Sequence, residues 1–214
     1  RMKVALVNPA WSYDGSIYFG CRAPHLPLEL GHARALLERD GHDVLLVDAH
    51  LCGETNAQVA EAVAAFAPDT TVVTTAPTYL FWRCAPPELR VPREFLHALD
   101  GRGGRTVAVG PHGSTTPGAA LRKLGVALVV RGECEEVVAA LARGRPPAEV
   151  RAVAWLEGDR VVSTGAPATA RFVDAPPLAW PAAWLARHAH HHHRFDAAPD
   201  GPGAEVEASR GCPY

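Results

Sequence analysis

This sequence lacks a marked excess of either positive or negative charge. Its 214 residues carry 21 lysines and arginines against 23 aspartates and glutamates, which gives a formal net charge of −2. Binding to nucleic acid normally requires a clustered excess of positive charge. We therefore expect no nucleic acid among the partners. Hydrophobic residues form 48% of the chain and charged residues 21%, a composition typical of a globular protein.

Long hydrophobic runs are also missing. No apolar stretch approaches the roughly 20 residues that cross a bilayer, and no apolar leader opens the chain. We therefore expect no membrane partner. The 5 cysteines are an odd number, scattered along the chain at positions 21, 52, 84, 134 and 212. Scattered cysteines without a leader are typical of reduced thiols, so we expect a cytoplasmic protein.

Short aliphatic runs alternate with helical segments five times. The runs lie at residues 3–7, 43–48, 70–77, 105–109 and 127–130. They lack alternating polarity, which is typical of strands covered on both faces. Helix signals follow them, such as the capping box Thr55-Asn56-Ala57-Gln58. We predict an α/β fold with a doubly wound, five-stranded parallel sheet of the flavodoxin or Rossmann type, in the strand order 2-1-3-4-5.

The pattern changes after residue 148. Two short runs flank Glu157-Gly158-Asp159 and predict a C-terminal β-hairpin, and the Pro- and Ala-rich residues 165–183 predict a linker. We divide the chain into a ligand-binding domain (1–148), a hairpin and Pro/His-rich linker (149–204) and the first strand of another domain (205–214). The contiguous histidines at 188 and 190–193 lack converging partners, so we expect adventitious metal binding there.

The candidate binding residues lie at the carboxyl ends of the strands. Ligands of such sheets bind where the strand order reverses, here between the first and third strands. Small residues and glycines at these ends let a large ligand approach the backbone. The candidates follow four strands: Asn8, Pro9 and Trp11; Thr74, Thr75 and Ala76; Gly110, Pro111 and His112; and Arg131, Gly132 and Glu133.

Residues 207–214 read Glu-Ala-Ser-Arg-Gly-Cys-Pro-Tyr. This stretch resembles the entry to a radical S-adenosylmethionine (radical SAM) domain, where Arg-Gly-Cys-Pro-Tyr opens a C-x-x-x-C-x-x-C loop. The resemblance implies that Cys212 is the first of three thiolates holding a [4Fe–4S] cluster, whose fourth iron binds S-adenosylmethionine. We expect the other two cysteines and the barrel beyond residue 214.

The preceding residues resemble the cobalamin-binding domain that often precedes a radical SAM barrel. The resemblance rests on Asn-Pro-Ala-Trp at 8–11, Pro-Leu-Glu-Leu-Gly at 27–31, Gly-His-Asp-Val-Leu-Leu-Val-Asp at 41–48, Val-Gly-Pro-His at 109–112 and Val-Val-Arg-Gly-Glu at 129–133. It implies that the chain holds cobalamin with one face toward the barrel. The parent enzyme would then form a 5'-deoxyadenosyl radical, abstract hydrogen from a substrate and methylate the unactivated carbon, whereas this chain alone would be inactive.

The same resemblance suggests roles for single residues. Thr74 and Thr75 would bind the nucleotide tail of the cofactor. Trp11 either covers the lower face of the corrin or packs its own loop, His112 either faces the cofactor or caps its loop, and Glu133 either binds a corrin amide or caps the next helix. Other cobalamin proteins carry D-x-H-x-x-G after the first strand. Asp48 to Gly53 matches that pattern after the second strand, so we expect no cobalt ligand from it.

Two alternatives to cobalamin presentation remain. A nucleotide- or flavin-binding, flavodoxin-like domain would need a Gly-rich phosphate loop after the first strand, and Asn-Pro-Ala-Trp at 8–11 does not provide one. A docking module that has lost cobalamin would keep nearly the same sequence, so only a binding assay separates it from a cobalamin carrier.

Overall fold

The computed structural model describes residues 1–13, 24–78, 88–171, 175–187 and 204. Five parallel strands form its centre: β1 (Lys3–Asn8), β2 (Asp43–Asp48), β3 (Thr70–Thr74), β4 (Arg105–Val109) and β5 (Leu128–Val130). They lie in the order β2-β1-β3-β4-β5. The order reverses between β1 and β3, because β2 lies on one side of β1 and the chain then crosses to place β3 on the other side of β1. These five strands keep the predicted relative order, but the order of the whole sheet is β2-β1-β3-β4-β5-β6-β7.

The prediction of a five-stranded sheet is wrong in its strand count. The predicted hairpin is present as β6 (Val153–Glu157) and β7 (Arg160–Ser163), but it continues the same sheet, which therefore has seven strands. β6 pairs antiparallel with β5, placing Val129 opposite Ala154 and Val130 opposite Val153. The added strands complete the backbone hydrogen bonding of β5, which would otherwise be an unpaired sheet edge.

Eight helices and one 3₁₀ turn surround the strands in the described part of the chain. They are α1 (Leu28–Arg39), α2 (Ala49–Cys52), α3 (Asn56–Phe66), α4 (Arg90–Leu99), α5 (Pro111–Thr115), α6 (Pro117–Leu124), α7 (Glu135–Ala142), the turn Pro147–Glu149 and α8 (Ala182–Leu185). The capping box of Thr55 and Gln58 is confirmed at the start of α3. The short helices α2 and α5 were not predicted, and both follow the carboxyl end of a strand.

The helices cover both faces of the sheet. α1 and α7 pack on one face around Leu30, Leu37 and Val137, while α3, α4 and α6 pack on the other around Phe95 and Leu121. Ala152 and Val153, beyond the predicted boundary at 148, belong to the same buried cluster as α1 and α7. The division of the chain at residue 148 stays a prediction.

Residues 164–171, which we call the strap, run from β7 past the start of α7. The strap is hydrogen-bonded to the loop after β5: Ala168 N donates to Arg131 O over 2.9 Å, and Glu133 N donates to Ala168 O over 3.0 Å. Arg171 N donates to Oε1 of Glu136 in the first turn of α7 over 3.2 Å. Backbone pairing therefore fixes the strap against the carboxyl end of the sheet.

Residues 175–187 pack against the opposite edge of the sheet. Trp180 stacks on Trp184 with a ring-centroid distance of 6.0 Å, and Trp184 is buried in a small cluster with Leu26 and Leu51. The guanidinium of Arg187 donates to Cys52 O over 3.0 Å. The predicted linker region thus contributes packing to α1 and α2. In the described part of the chain, no helix has the length and apolarity needed to cross a membrane.

Gly31 and Trp180 offer a test of this packing. A Cβ added at Gly31 would lie 2.7 Å from Cζ2 of Trp180, too close for the ring to stay in place. We expect Gly31→Ala to lower the free energy of unfolding by about 1–3 kcal/mol, the usual effect of overpacking. In a Trp180→Ala background the same change should be neutral or stabilising by up to about 1 kcal/mol, because alanine favours a helix over glycine.

Urea unfolding of the wild type, both single variants and the double variant measures these four values. Equal effects of Gly31→Ala in the two backgrounds would show that Trp180 does not pack on α1.

Candidate functional site

The carboxyl ends of β1 and β3 are joined by the side chain of Asn8. Its Oδ1 accepts hydrogen bonds from Nε1 of Trp11 over 2.7 Å and from Oγ1 of Thr74 over 3.0 Å. Asn8 and Thr74 are buried, and only 7% of Trp11 is exposed. On the neighbouring strand, Asp48 pairs in register with Asn8. One amide therefore joins the ends of β1 and β3 to the first turn of the loop after β1, and Asp48 of β2 lies beside it in register.

Asp48 is fully buried at the end of β2. Its Oδ1 accepts a hydrogen bond from Leu51 N over 2.8 Å, and its Oδ2 has no hydrogen-bond partner among the described residues. Burial raises the pKa of the carboxyl from 3.8 to about 7, and the hydrogen bond from Leu51 N offsets this rise only in part. The sequence analysis did not select Asp48 as a binding residue. Its signal in the sequence was an acidic residue at the end of the aliphatic run 43–48.

The loop after β1 is held by groups from other elements. Ala10 N donates to Oδ1 of Asn56 at the start of α3 over 2.9 Å, and Arg90 of α4 donates to Ser12 O over 2.9 Å. The ring of Tyr13 contacts that of His50 edge to face, with centroids 6.3 Å apart. His50 thus reaches this loop from α2.

The ends of β3, β4 and β5 are joined by hydroxyl groups. Thr75 donates to Val109 O from both its backbone N and its Oγ1, each over 2.9 Å. Ser114 Oγ donates to Gly110 O over 3.1 Å and accepts from Gly132 N over 2.8 Å. Ser114 was missed by the sequence analysis, because it lies on the unpredicted helix α5. Gly110 has a φ of 106° immediately before α5, a conformation that requires glycine.

The structure brings some candidates together and gives others a structural partner. Asn8, Trp11 and Thr74 form one connected group, and Pro9 and the buried Ala76 flank it in the chain. Both threonine hydroxyls donate to protein acceptors, so binding of a nucleotide tail by Thr74 or Thr75 stays a prediction. Pro111 begins α5, and the half-buried His112 uses its carbonyl to accept from the backbone N and Oγ1 of Thr116.

Arg131, Gly132 and Glu133 hold the strap. The guanidinium of Arg131 donates to Gly165 O over 3.0 Å, and a carboxylate oxygen of Glu133 accepts from Ala170 N. Gly132 has a φ of 82°, and a Cβ there would lie 2.7 Å from Ala168 N. Close approach of the strap therefore accounts for this glycine without a ligand. The N-cap residue of α7 is Cys134, and Glu133 precedes it in the chain.

A groove of about 580 Å³ lies between α7 and the strap. Its lining mixes acidic and basic side chains: Glu133, Glu136, Glu149, Arg145, Arg151 and Arg171. Two of these carboxylates already accept backbone hydrogen bonds from the strap. The groove also lies beside α7, away from the reversal of strand order between β1 and β3, so we do not assign the ligand to it.

Two metal-related expectations fall on other parts of the chain. Cys212 and the histidines at 188 and 190–193 lie outside the described residues. Within the described ranges, no three His, Cys, Asp or Glu side chains are grouped so that they could hold a metal ion. Cys52 and Cys134, which do lie within those ranges, are free thiols.

The fold is similar to that of two solved radical SAM enzymes. One is the radical S-adenosylmethionine methyltransferase TsrM from Kitasatospora setae with cobalamin and a [4Fe-4S] cluster bound, at a TM-score of 0.58 and 22% identity over 76% of this chain. The other is the cobalamin-dependent S-adenosylmethionine radical enzyme OxsB with aqua-cobalamin and S-adenosylmethionine bound, at a TM-score of 0.60 and 18% identity over 83% of this chain.

This likeness concerns one part of the larger enzymes. The chain spans 30% of the length of TsrM and 24% of that of OxsB. At these identities the likeness shows a shared fold. No family model and no curated protein matches the sequence.

A matched pair of glycine substitutions tests the contact between Gly132 and the strap. Gly132 and Gly158 both have positive φ, but a Cβ at Gly158 would meet no atom within 4 Å. Both alanine variants carry the backbone strain of about 1–2 kcal/mol. We expect Gly132→Ala to lower the free energy of unfolding by about 1–3 kcal/mol more than Gly158→Ala, because its Cβ also overlaps the strap. Urea unfolding measures both, and equal losses would contradict the contact.

The buried carboxyl of Asp48 predicts a dependence of stability on pH. Its pKa is about 7 in the folded protein and near 3.8 when unfolded, so the folded state binds more protons between these values. The contribution of Asp48 to the free energy of unfolding is therefore greatest below about pH 4 and decreases as the pH rises to about 7. The total decrease is about 1.4 kcal/mol for each unit of difference between the folded and unfolded pKa values.

We expect Asp48→Asn to flatten that part of the stability profile. The measurement is urea unfolding of wild type and variant at matched pH values from about 4 to 8. Two profiles of the same slope would show that Asp48 ionises normally.

Proposed function

We propose that this chain binds cobalamin at the carboxyl ends of its parallel strands and presents it to a radical SAM barrel in a larger enzyme. The observation that carries the proposal is the fold: it is shared, over 76% and 83% of the chain, with two enzymes solved with cobalamin. The reversal of strand order supports the location, because ligands of doubly wound sheets bind at that point. We place the cofactor in the crevice between β1 and β3.

The chemistry of the side chains at this crevice fits the cofactor. A corrin ring carries neutral amide groups around its edge, and neutral donors and acceptors match these without the desolvation penalty of a charge. The described strand ends carry neutral amide, indole, hydroxyl and imidazole side chains, of which the indole and the hydroxyls already donate to protein acceptors: Asn8, Trp11, Thr74, Thr75, Ser114 and His112. The buried Oδ2 of Asp48, which has no partner among the described residues, adds an acceptor close to Asn8.

Each part of the crevice has a distinct task in this proposal. Trp11, held by Asn8, supports the face of the corrin that lies against the sheet. Thr74, Thr75 and Ala76 let the nucleotide tail approach β3. Gly110, Pro111 and His112 border the corrin along the end of β4. Arg131, Gly132 and Glu133 contribute through the strap that they hold, which closes the β5 side of the sheet.

The parent enzyme is proposed from the resemblance around Cys212. That residue would supply the first thiolate of a [4Fe–4S] cluster, and the barrel would bind S-adenosylmethionine. Cobalamin supplies a transferable methyl group when bound, and we propose that the parent methylates an unactivated carbon. The residues of this chain bind the cofactor, orient it and exclude water from one of its faces.

Two observations bear on the alternatives. In a flavodoxin-like domain, backbone N–H groups of the first loop bind the phosphate. Here Pro9 has no N–H, and the N–H of Ala10 donates to Oδ1 of Asn56, so neither is available. A docking module without cobalamin would have the same fold as a cobalamin carrier. Only a measurement of cobalamin binding distinguishes these two functions.

A titration with hydroxocobalamin tests the proposal. The purified chain is mixed with the cofactor, desalted and examined by its visible spectrum, and we expect retention near one equivalent. Trp11→Ala should weaken binding about tenfold, a loss of about 1.4 kcal/mol, because the crevice loses its aromatic support. Trp155→Ala is the matched control: this tryptophan donates to Glu157 on the hairpin and should leave binding unchanged.

Three outcomes are distinct in this experiment. Retention that depends on Trp11 and not on Trp155 supports the crevice. Equal loss in both variants, with both folded by circular dichroism, would place the cofactor elsewhere. If neither this chain nor a chain extended through the barrel retains hydroxocobalamin, the docking module is favoured. If the chain retains flavin mononucleotide instead, the flavodoxin-like alternative is favoured.

A further inference from the structure

The groove between α7 and the strap has the dimensions of a small-molecule site. Its volume of about 580 Å³ lies within the roughly 300–1,000 Å³ that is typical of such sites. Its apolar lining comes from α7, from the residue before β6 and from the strap: Val137, Ala140, Val150, Pro167 and Ala168. Apolar surface beside charged side chains suits a small molecule that has an apolar body and a charged group.

The strap holds its wall of the groove in place. Ala168 is paired by its backbone with the loop after β5, and the carboxylates of Glu133 and Glu136 accept from the backbone N of Ala170 and Arg171. The groove is open while all these hydrogen bonds are made, so a ligand need not break any of them. A wall that is already ordered also reduces the entropy lost on binding.

Three arginines line the groove, and we call Arg145, Arg151 and Arg171 the groove arginines. The structure positions them from the protein side. Arg145 donates to Glu149 O over 2.7 Å. The stem of Arg151 lies beside the strap, because a Cβ added at Gly165 would be 3.7 Å from its Cγ. A guanidinium has five N–H donors in a planar fork, so most of these donors are available to a ligand.

The groove arginines differ from other arginines in their charge partners. Elsewhere in the described part of the chain arginines pair with carboxylates, as Arg160 does with Glu157 over 2.6 Å. Within the described ranges the groove arginines form no ion pair, although carboxylates line the same groove. Two of those carboxylates, Glu133 and Glu136, are bound to the strap backbone. Positive charge therefore remains for a ligand.

We propose that this groove is a binding site for a small organic anion, separate from the crevice between β1 and β3. The groove arginines bind its phosphate or carboxylate group, since the planar guanidinium matches both in a bidentate manner. Val137 and Ala140 contact its apolar body. Glu149 also lines the groove, and its carboxylate opposes an anion. The inference does not depend on whether the chain binds cobalamin.

The experiment uses three probes that share one apolar body: naphthyl phosphate, naphthoate and the neutral naphthol. Each is titrated into the chain while the methyl signals of Val137 and Ala140 are followed by NMR. We expect saturable shifts of these signals with the two anions and much weaker binding of naphthol. The anion that binds more tightly identifies the head group as a phosphate or a carboxylate.

Charge variants with opposite expected effects test the role of the side chains. Arg145→Gln and Arg151→Gln should each weaken binding of the anions about tenfold, the usual effect of losing one charge-assisted hydrogen bond. Glu149→Gln should strengthen it, because a repulsive charge is removed. Arg160→Gln and Glu157→Gln, which make the same charge changes on the hairpin, are the matched controls and should leave binding unchanged.

Three results would overturn this inference. One is equal binding of naphthol and the anions, which would show an apolar site without charge recognition. Another is an equal loss in Arg151→Gln and Arg160→Gln, which would show a general effect of net charge. The third is the absence of shifts at Val137 and Ala140 up to millimolar probe. All the substituted residues are exposed, so their variants should fold.

Discussion

The buried amide of Asn8 is the interaction on which the carboxyl edge of this sheet depends. Its Oδ1 accepts hydrogen bonds from the indole of Trp11 and the hydroxyl of Thr74, and Asp48 on β2 lies opposite it in register. A buried polar group is stable only when its hydrogen bonds are made, so these partners fix one another. The ends of β1 and β3 and the first turn of the next loop consequently form a single unit at the point where the strand order reverses.

The two sides of the edge are built differently. On the β5 side, the strap is paired with the backbone of residues 131–133 and is held by the carboxylates of Glu133 and Glu136. On the β1 and β3 side, side chains dominate, and Asn56 and Arg90 hold the loop from other helices. A ligand on the β5 side would have to replace backbone hydrogen bonds. Side chains adapt more readily, which favours the crevice between β1 and β3.

Local sequence predicted the elements whose signals are local. The five buried runs, the capping box at Thr55 and the parallel strand order follow from hydrophobic pattern and from the right-handed crossover rule. The pairing of β6 with β5, the contact of Gly132 with Ala168 and the burial of Asp48 depend on residues far apart in sequence. No single-sequence pattern encodes such contacts, which explains why the strand count was wrong and why Asp48 and Ser114 were missed.

The central claim of the proposed function is that cobalamin binds at this edge of the sheet, in the crevice between β1 and β3. The most direct measurement is a methyl and indole NMR spectrum of the chain with and without hydroxocobalamin. The account predicts that the signals of Trp11, Val73 and Val109, at the ends of β1, β3 and β4, change most. Changes confined to Val137 and Ala140, which line the groove beside α7, would contradict it.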